Sequence, residues 1–342
     1  MARKKVTLTE VAAYAGVSLG SASRAMRGNG ASGATARKVL EAAEELGYVP
    51  NLRARALREG KTMTIAFAVP DIGNPAYVEM MKELTNVLSP VGYRVTVAQI
   101  GSDPRDAIDF VRSFANGSVD AAILSVLRIS DELVEALKKS EIPVVVIGSP
   151  VDDGDIETIT TDSALGIGMA VRHVVDRGCK DLIFVNGPLD TRPGAARQMG
   201  FDDIVEQLGS EISSARTIRV GDFNLEAGSH AGRRIARLWE DKPASDVKRA
   251  VIAANDLLAI GVMRELMSAG FLIPRDVAVT GMDAIELGKL VTPTLTSVSL
   301  RAGERGRLAA ESLLSHFDTP TKVARSTFLE PQLIIAESTG WM

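Results

Sequence analysis

Between about residues 62 and 292, short runs of Val, Ile and Ala recur at intervals filled by amphipathic stretches, and this alternation leaves few folds open. The runs are Thr64–Val69, Tyr93–Ala98, Ala121–Ser125, Pro143–Ile147, Leu182–Val185, Thr217–Val220, Ala250–Ala253 and Val277–Thr280. Near-continuous apolar runs of this length read as strands covered on both faces, which is the habit of parallel sheets flanked by helices. The intervening helices open on strong signals. Asn74-Pro75 and Asp103-Pro104 each set a cap before a proline, and Ser130, Asp162 and Asn255 are placed to cap three more. The runs form two βα series, roughly 62–161 and 162–292. Ligands of open parallel sheets bind beyond the carboxyl ends of the strands. Candidate binding residues are therefore sought just after each run.

The first sixty residues are built differently. Thr7 and Glu10 form a capping-box pair that opens a helix over Leu8–Ala15. Gly16 and Val17 supply a tight turn, and Ser18 is placed to cap a second helix. With Leu8, Val11, Ala12, Ala15, Val17 and Ala22 turned inward, the pair reads as a helix-turn-helix, whose second helix enters the major groove of DNA. Charge agrees. Residues 1–60 hold ten Lys/Arg against five acids, whereas the whole chain is at −4, so the remainder is at −9. A basic head on an acidic body suits one end that meets phosphates and a remainder repelled by them.

The order of these residues closely resembles the LacI/GalR family of bacterial regulators. Thr7, Leu8, Val11, Ala12, Ala15, Gly16, Val17, Ser18, Ser21, Ser23 and Arg24 match that family's headpiece, as do Leu46, Gly47, Tyr48, Pro50, Asn51, Ala54, Arg55 and Leu57. The resemblance implies a headpiece over 1–50 and a hinge helix and linker over 51–61. It implies a two-lobed, periplasmic-binding-protein type I body over 62–342. The N-lobe would comprise 62–161 and about 299–323, the C-lobe 162–296 and about 326–342. The tail from Leu295–Leu300 through Phe328–Ile335 would cross back to complete both. The same resemblance implies that Leu19 and Gly20 face bases. Arg24 can bond guanine bidentately. Thr7, Ser18, Ser23, Ser32, Thr35 and Tyr48 would hold the head on DNA, although Tyr48 also fits a packing role. Gly20 reads no base and weakens the helix by about 1 kcal/mol. Asn51, Ala54 and Leu57 belong to the hinge, with Leu57 as a wedge in the minor groove.

For the body, the resemblance points to Tyr77, Arg197, Phe223, Asn255 and Asp283 as effector contacts. An arginine fork, an amide, a carboxylate and aromatic faces suit a polyhydroxylated small molecule. Asn255 is also a good plain cap, and Asp256 reads as a solvated first-turn acid. After Val145–Ile147, where the family commonly carries an acidic residue followed by Arg, this chain has Gly148-Ser149-Pro150. The expectation is a cleft wall short of a charged pair, with room for a bulkier or less hydroxylated ligand.

Other functions find little support. No stretch approaches roughly 18 uncharged apolar residues, so no membrane contact is expected. The N-terminus does not resemble a signal peptide, and Cys179 is alone, which together favour a cytoplasmic, nucleoid-associated protein. Gly28-Asn29-Gly30-Ala31-Ser32-Gly33 has dinucleotide-loop spacing but no preceding strand. His173, His230 and His316 lack metal spacing. No nucleophile, base and orienting acid assemble as a motif, so no catalytic residue, metal or cofactor is assigned and the chain is not read as an enzyme. The expected function is a homodimeric repressor that binds double-stranded operator DNA and answers to a sugar-like effector. Two readings compete: a sugar-binding or transport module without DNA function, and a regulator activated by a nucleobase or nucleoside corepressor.

Overall fold

The computed structural model describes residues 6–26, 31–49, 60–148, 150–151, 153–240, 248–318 and 325–340. The chain divides into two compact units, Met1–Thr62 and Met63–Met342. In the first, helices α1 (Leu8–Tyr14), α2 (Leu19–Met26) and α3 (Gly33–Glu45) enclose a small core of Val11, Ala12, Ala22, Ala25, Val39, Ala42 and Ala43. The predicted capping box forms: Thr7 Oγ1 accepts from Glu10 N at 3.3 Å, and Thr7 N donates to Glu10 Oε2 at 2.7 Å. Gly16 takes the left-handed turn at φ 68°. The expected hinge lies, over residues 51–59, outside the described residues.

The second unit carries two six-stranded sheets. The first runs β11-β5-β4-β3-β1-β2, from β1 (Thr64–Val69), β2 (Arg94–Gln99), β3 (Ala121–Ser125), β4 (Val144–Ile147), β5 (Glu157–Thr161) and β11 (Ser326–Leu329). The second runs β12-β10-β9-β8-β6-β7, from β6 (Cys179–Asn186), β7 (Ser214–Arg219), β8 (Lys248–Ala253), β9 (Val277–Met282), β10 (Thr296–Ser299) and β12 (Gln332–Ile334). All neighbours pair in parallel except β12, which runs antiparallel to β10. Central strands are buried on both faces, as their apolar runs predict, and the five expected caps form. Asn74, Asp103, Ser130, Asp162 and Asn255 each accept a backbone N–H of the first turn.

Two details differ from expectation. Glu157–Thr161 is a fully buried strand that its run of polar Thr residues concealed. Ser326–Leu329, assigned from sequence to the C-lobe, pairs with β5 in the first sheet, so the last crossing falls at 330–331.

Helices α4 (Pro75–Leu88), α5 (Pro104–Arg112), α6 (Asp131–Lys138), α7 (Ser163–Asp176), α8 (Arg192–Leu208), α9 (Leu225–Glu240), α10 (Asp256–Ser268) and α11 (Ala302–Asp318) cover the sheets. The last of these matters most for the cleft. It leaves the second sheet after β10 and packs against α4 of the first lobe. Gly306 allows that approach, since a Cβ there would lie 2.5 Å from the Met80 carbonyl oxygen. Thr161 Oγ1 donates to the Leu300 carbonyl at 2.9 Å, tying two of the crossing strands' ends together.

Candidate functional site

The carboxyl ends of both sheets open on one cavity of about 120 Å³ between the lobes of the second unit. Tyr77, Arg197, Phe223, Asn255 and Asp283 all line it. Five residues far apart in the chain, pointed to by the family resemblance, are thus brought together by the fold. The lobes also touch at the mouth. Arg128, beyond β3, donates to the Asp190 carboxylate at 2.8 and 2.9 Å, and Arg192 N donates to the Leu127 carbonyl at 2.8 Å.

Each side chain is placed by local chemistry. Asn255 is a cap and a brace at once: its Oδ1 accepts Leu258 N at 2.9 Å, and its Nδ2 donates to the Phe223 carbonyl at 2.8 Å. One amide hydrogen and one lone pair remain for a ligand. Arg197 lies with its guanidinium 5.7 Å from the centre of the Phe223 ring, within cation–π range. Its Nε, buried, has no hydrogen-bond partner among the described residues. Ser125 Oγ stands 3.5 Å from the Tyr77 hydroxyl, and the Tyr77 ring meets Phe67 edge-on.

Asp283 sits at φ 105°, followed by Ala284 at φ 55°. Two successive non-glycine residues in the left-handed region hold strain that surrounding bonds must support. Asp283 N donates to the Val298 carbonyl at 2.8 Å, and Ala284 N donates to Ser297 Oγ at 3.0 Å. The main support comes from Asp256. Far from being a solvated first-turn acid, it is 1% exposed. It accepts Ile285 N at 2.7 Å and Ser297 Oγ at 2.6 Å. Burial, then the neighbouring Asp283 charge, pushes its carboxyl well above the usual range. Asp283 is also raised by burial, against the opposing pull of Arg197 and Arg305. Asp256 therefore positions the turn that aims Asp283 into the cavity.

The wall expected to lack charge does not. Gly148 adopts φ 89°, and Nη1 of Arg305 lies 3.4 Å from where a Cβ would project. Arg305, from α11, is buried and lines the cavity. Its side chain occupies the space that Gly148 leaves open, so the extra room inferred from Gly148-Ser149 is filled by a cation from a distant helix. Arg305 was hidden from sequence reasoning because it stands near Arg307 on an ordinary amphipathic helix.

In the first unit, Thr7, Ser18, Leu19, Gly20, Arg24 and Ser32 are exposed, and Ser23, Thr35 and Tyr48 are half-buried. Ser18 Oγ accepts Ser21 N at 3.1 Å and so caps α2 as expected. Arg24 Nη2 donates to Ser21 Oγ at 3.3 Å, folding the guanidinium back along the helix. A Cβ at Gly20 would lie 3.5 Å from Arg24 Nη1, an ordinary contact, so the path of Arg24 does not require a glycine there. Leu19 keeps 47% of its surface in water, as a base-contacting apolar side chain needs. Ser32 caps α3 through Thr35 N, and Tyr48 packs against the small core. Asn51, Ala54 and Leu57 lie outside the described residues.

Residues 7–51 match the family model described as bacterial regulatory proteins, lacI family, and residues 171–339 match the periplasmic binding protein-like domain. The HTH-type transcriptional regulator CelR of Thermobifida fusca is 30% identical over 347 residues, covering 98% of this chain and 99% of the relative. The ribose operon repressor of Escherichia coli (strain K12) is 28% identical over 330 residues, covering 96% and 98%. Among solved structures, a transcriptional regulator CelR–cellobiose complex aligns with a TM-score of 0.69 at 28% identity, over 98% of this chain and 100% of that one. The lac repressor dimer bound to operator and the anti-inducer ONPF aligns with a TM-score of 0.82 at 23% identity, over 98% and 99%, and shares the fold.

Proposed function

The chain belongs to the LacI family of bacterial regulatory proteins, and on that premise we propose that it is a homodimeric, cytoplasmic repressor whose hold on operator DNA is set by a small molecule in the cleft. The observation that carries this reading is the pairing, in one chain, of an exposed helix-turn-helix face with a cavity where buried polar groups from both lobes converge. Two headpieces would engage a pseudo-palindromic site, with Leu19 and Arg24 reading bases and the hydroxyl-bearing residues holding phosphates. Tyr77, Arg197, Phe223, Asn255 and Asp283 would hold the effector. Relatives named for ribose and cellobiose make a sugar-like effector the natural class.

The lobes are the coupling element. A ligand that bonds groups on both walls favours one lobe spacing, and segment 51–61 would pass that choice to the headpiece by ordering or loosening. A coupling of roughly 1–3 kcal/mol corresponds to about 5–150-fold in operator affinity. The test is fluorescence anisotropy on a duplex selected from genomic fragments by the full chain, with candidate effectors titrated at fixed salt. The expected result is sequence-specific binding that falls as effector is added. Binding that rises instead would assign the ligand a corepressor's sign. Binding no tighter to the selected duplex than to random sequence would end the reading.

A further inference from the structure

We propose that the effector carries an anionic group, a carboxylate or a phosphomonoester on a hydroxylated skeleton, seated between the guanidinium groups of Arg197 and Arg305. This inference rests on the ligand-responsive reading of the cleft and narrows it to a chemical class.

The argument starts from a charge imbalance. Arg197 and Arg305 are 7% and 6% exposed, and among the described residues the Nε of each has no hydrogen-bond partner. A guanidinium cannot shed its proton, so a buried one is stable only near an anion or a full set of acceptors. Five carboxylates bear on the pair, from inside and from the rim. Asp283 faces both arginines through the cavity. Asp256 pulls on Arg197, but its oxygens hold Ile285 N and Ser297 Oγ and burial favours its neutral form, so it is a weak counter-ion. Asp71 and Asp222 line the mouth and Glu79 of α4 pulls on Arg305, but all three are exposed, so water screens them. Among the described residues, the two buried cations therefore share Asp283 as the interior carboxylate that bears on both.

Geometry gives the missing charge a place. Arg197 comes from α8 on the second lobe, and Arg305 from α11, packed on the first. Gly148 has no side chain to compete for the space beside Arg305 Nη1. Planar forks approaching from opposite walls suit an anion with several acceptor oxygens, which each guanidinium can bond in a bidentate way. Tyr77, Asn255 and Phe223 line the rest of the cavity and suit hydroxyls and a ring face. Such an anion would also link the lobes directly, tying its binding to their spacing.

The test uses the full-length protein and isothermal titration with matched pairs: D-glucose against D-gluconate and glucose 6-phosphate, D-galactose against D-galacturonate, and D-ribose against ribose 5-phosphate. The expected result is that at least one anionic member binds about tenfold or more tightly than its neutral parent. Carboxylate and phosphate arms identify which oxyanion the site takes. Arg305→Gln should erase that preference, and Arg305→Lys, which keeps the charge, should retain part of it. Neutral parents binding as tightly as their acids would overturn the proposal and leave the regulator reading intact, as would a preference equal in wild type and Arg305→Gln. Binding by no member of the panel would overturn it too. Absence of sequence-specific DNA binding would remove the regulator reading instead, while titration would still report the anion preference.

Discussion

The headpiece and the body solve opposite problems. Among its described residues the headpiece buries two valines and five alanines, and its candidate DNA contacts there are exposed or half-buried, several within one or two helical turns of each other. The body buries Phe67, Phe184, Phe201 and Trp239 among large aliphatic side chains, and of its candidate ligand contacts it buries Arg197, Asn255 and Asp283 and half-buries Tyr77 and Phe223. Surface function costs a fold little, so a small core suffices. A cleft that holds Arg197, Arg305, Asp256 and Asp283 away from water needs a large core to offset their desolvation. The comparison teaches where each unit is vulnerable: the headpiece in its caps, the body in its core and its charges.

The largest effect should come from the body's core. Phe184 is fully buried and stacks on Phe201 with ring centres 4.8 Å apart. Phe184→Ala should cost about 3–5 kcal/mol. In calorimetry the body transition should drop while a headpiece transition holds its position. A single transition that moves as one would break the contrast between two independently stabilised units.

Next come the two arginines that stand for each unit's function. Arg197→Ala removes a buried charged donor and should weaken effector binding by about 1.5–3 kcal/mol, roughly 10- to 150-fold, as read by titration. An effector affinity within twofold of wild type would displace Arg197 from the site. Arg24→Ala should cost about 1–3 kcal/mol at one base pair of the operator and relax the preference there. A loss equal across all sequences would make Arg24 a phosphate contact.

The same contrast governs what could be read from sequence. Helix caps, the turn at Gly16 and the central strands were legible, because each depends on residues adjacent in the chain. The five cleft residues were legible through the family resemblance, with which their places beyond the strands agree. Strand β5 was not, since Glu157, Thr158, Thr160 and Thr161 are polar, and they are buried only because β4 and β11 flank them. Glu157 is supported there by His316 Nε2 at 2.6 Å, a partner 159 residues away. Arg305 and Asp256 failed in the same way. Each is a charged residue at a position where a solvated face is the ordinary choice, and only the tertiary approach of α11 to α4, or of β10 to α10, reveals the burial.

Asp256 sharpens the comparison through pH. Asp256→Ala leaves Ile285 N–H and Ser297 Oγ without their buried acceptor, and should cost about 1–3 kcal/mol. The cost depends on pH with a definite sign. The folded carboxyl titrates above its ordinary 3.8, so the folded state binds this proton more tightly than the unfolded state. Its contribution is complete below 3.8 and drains away as pH climbs through the elevated folded value. Urea unfolding of wild type and variant should therefore converge as pH rises from about 4 toward neutrality. A gap that widens over that range would show the buried carboxyl to be ionised and stabilised, and would reverse the account of Asp256.

The smallest effect isolates the headpiece. Thr7 holds the first turn of α1 by its side chain on Glu10 N and by its own N–H on Glu10 Oε2. Thr7→Ala removes the first bond and should cost about 1 kcal/mol of headpiece stability. That is a minor sum for the body but a large share for a core of alanines and valines. Thr7→Ser keeps the cap hydroxyl and should restore most of it. If the loss came from a phosphate contact instead, Thr7→Ala would weaken operator binding without lowering the headpiece melting temperature. Thermal unfolding without DNA, followed by circular dichroism, therefore separates the cap from the contact, and an unchanged melt in Thr7→Ala would remove the cap from the list of what holds this unit together.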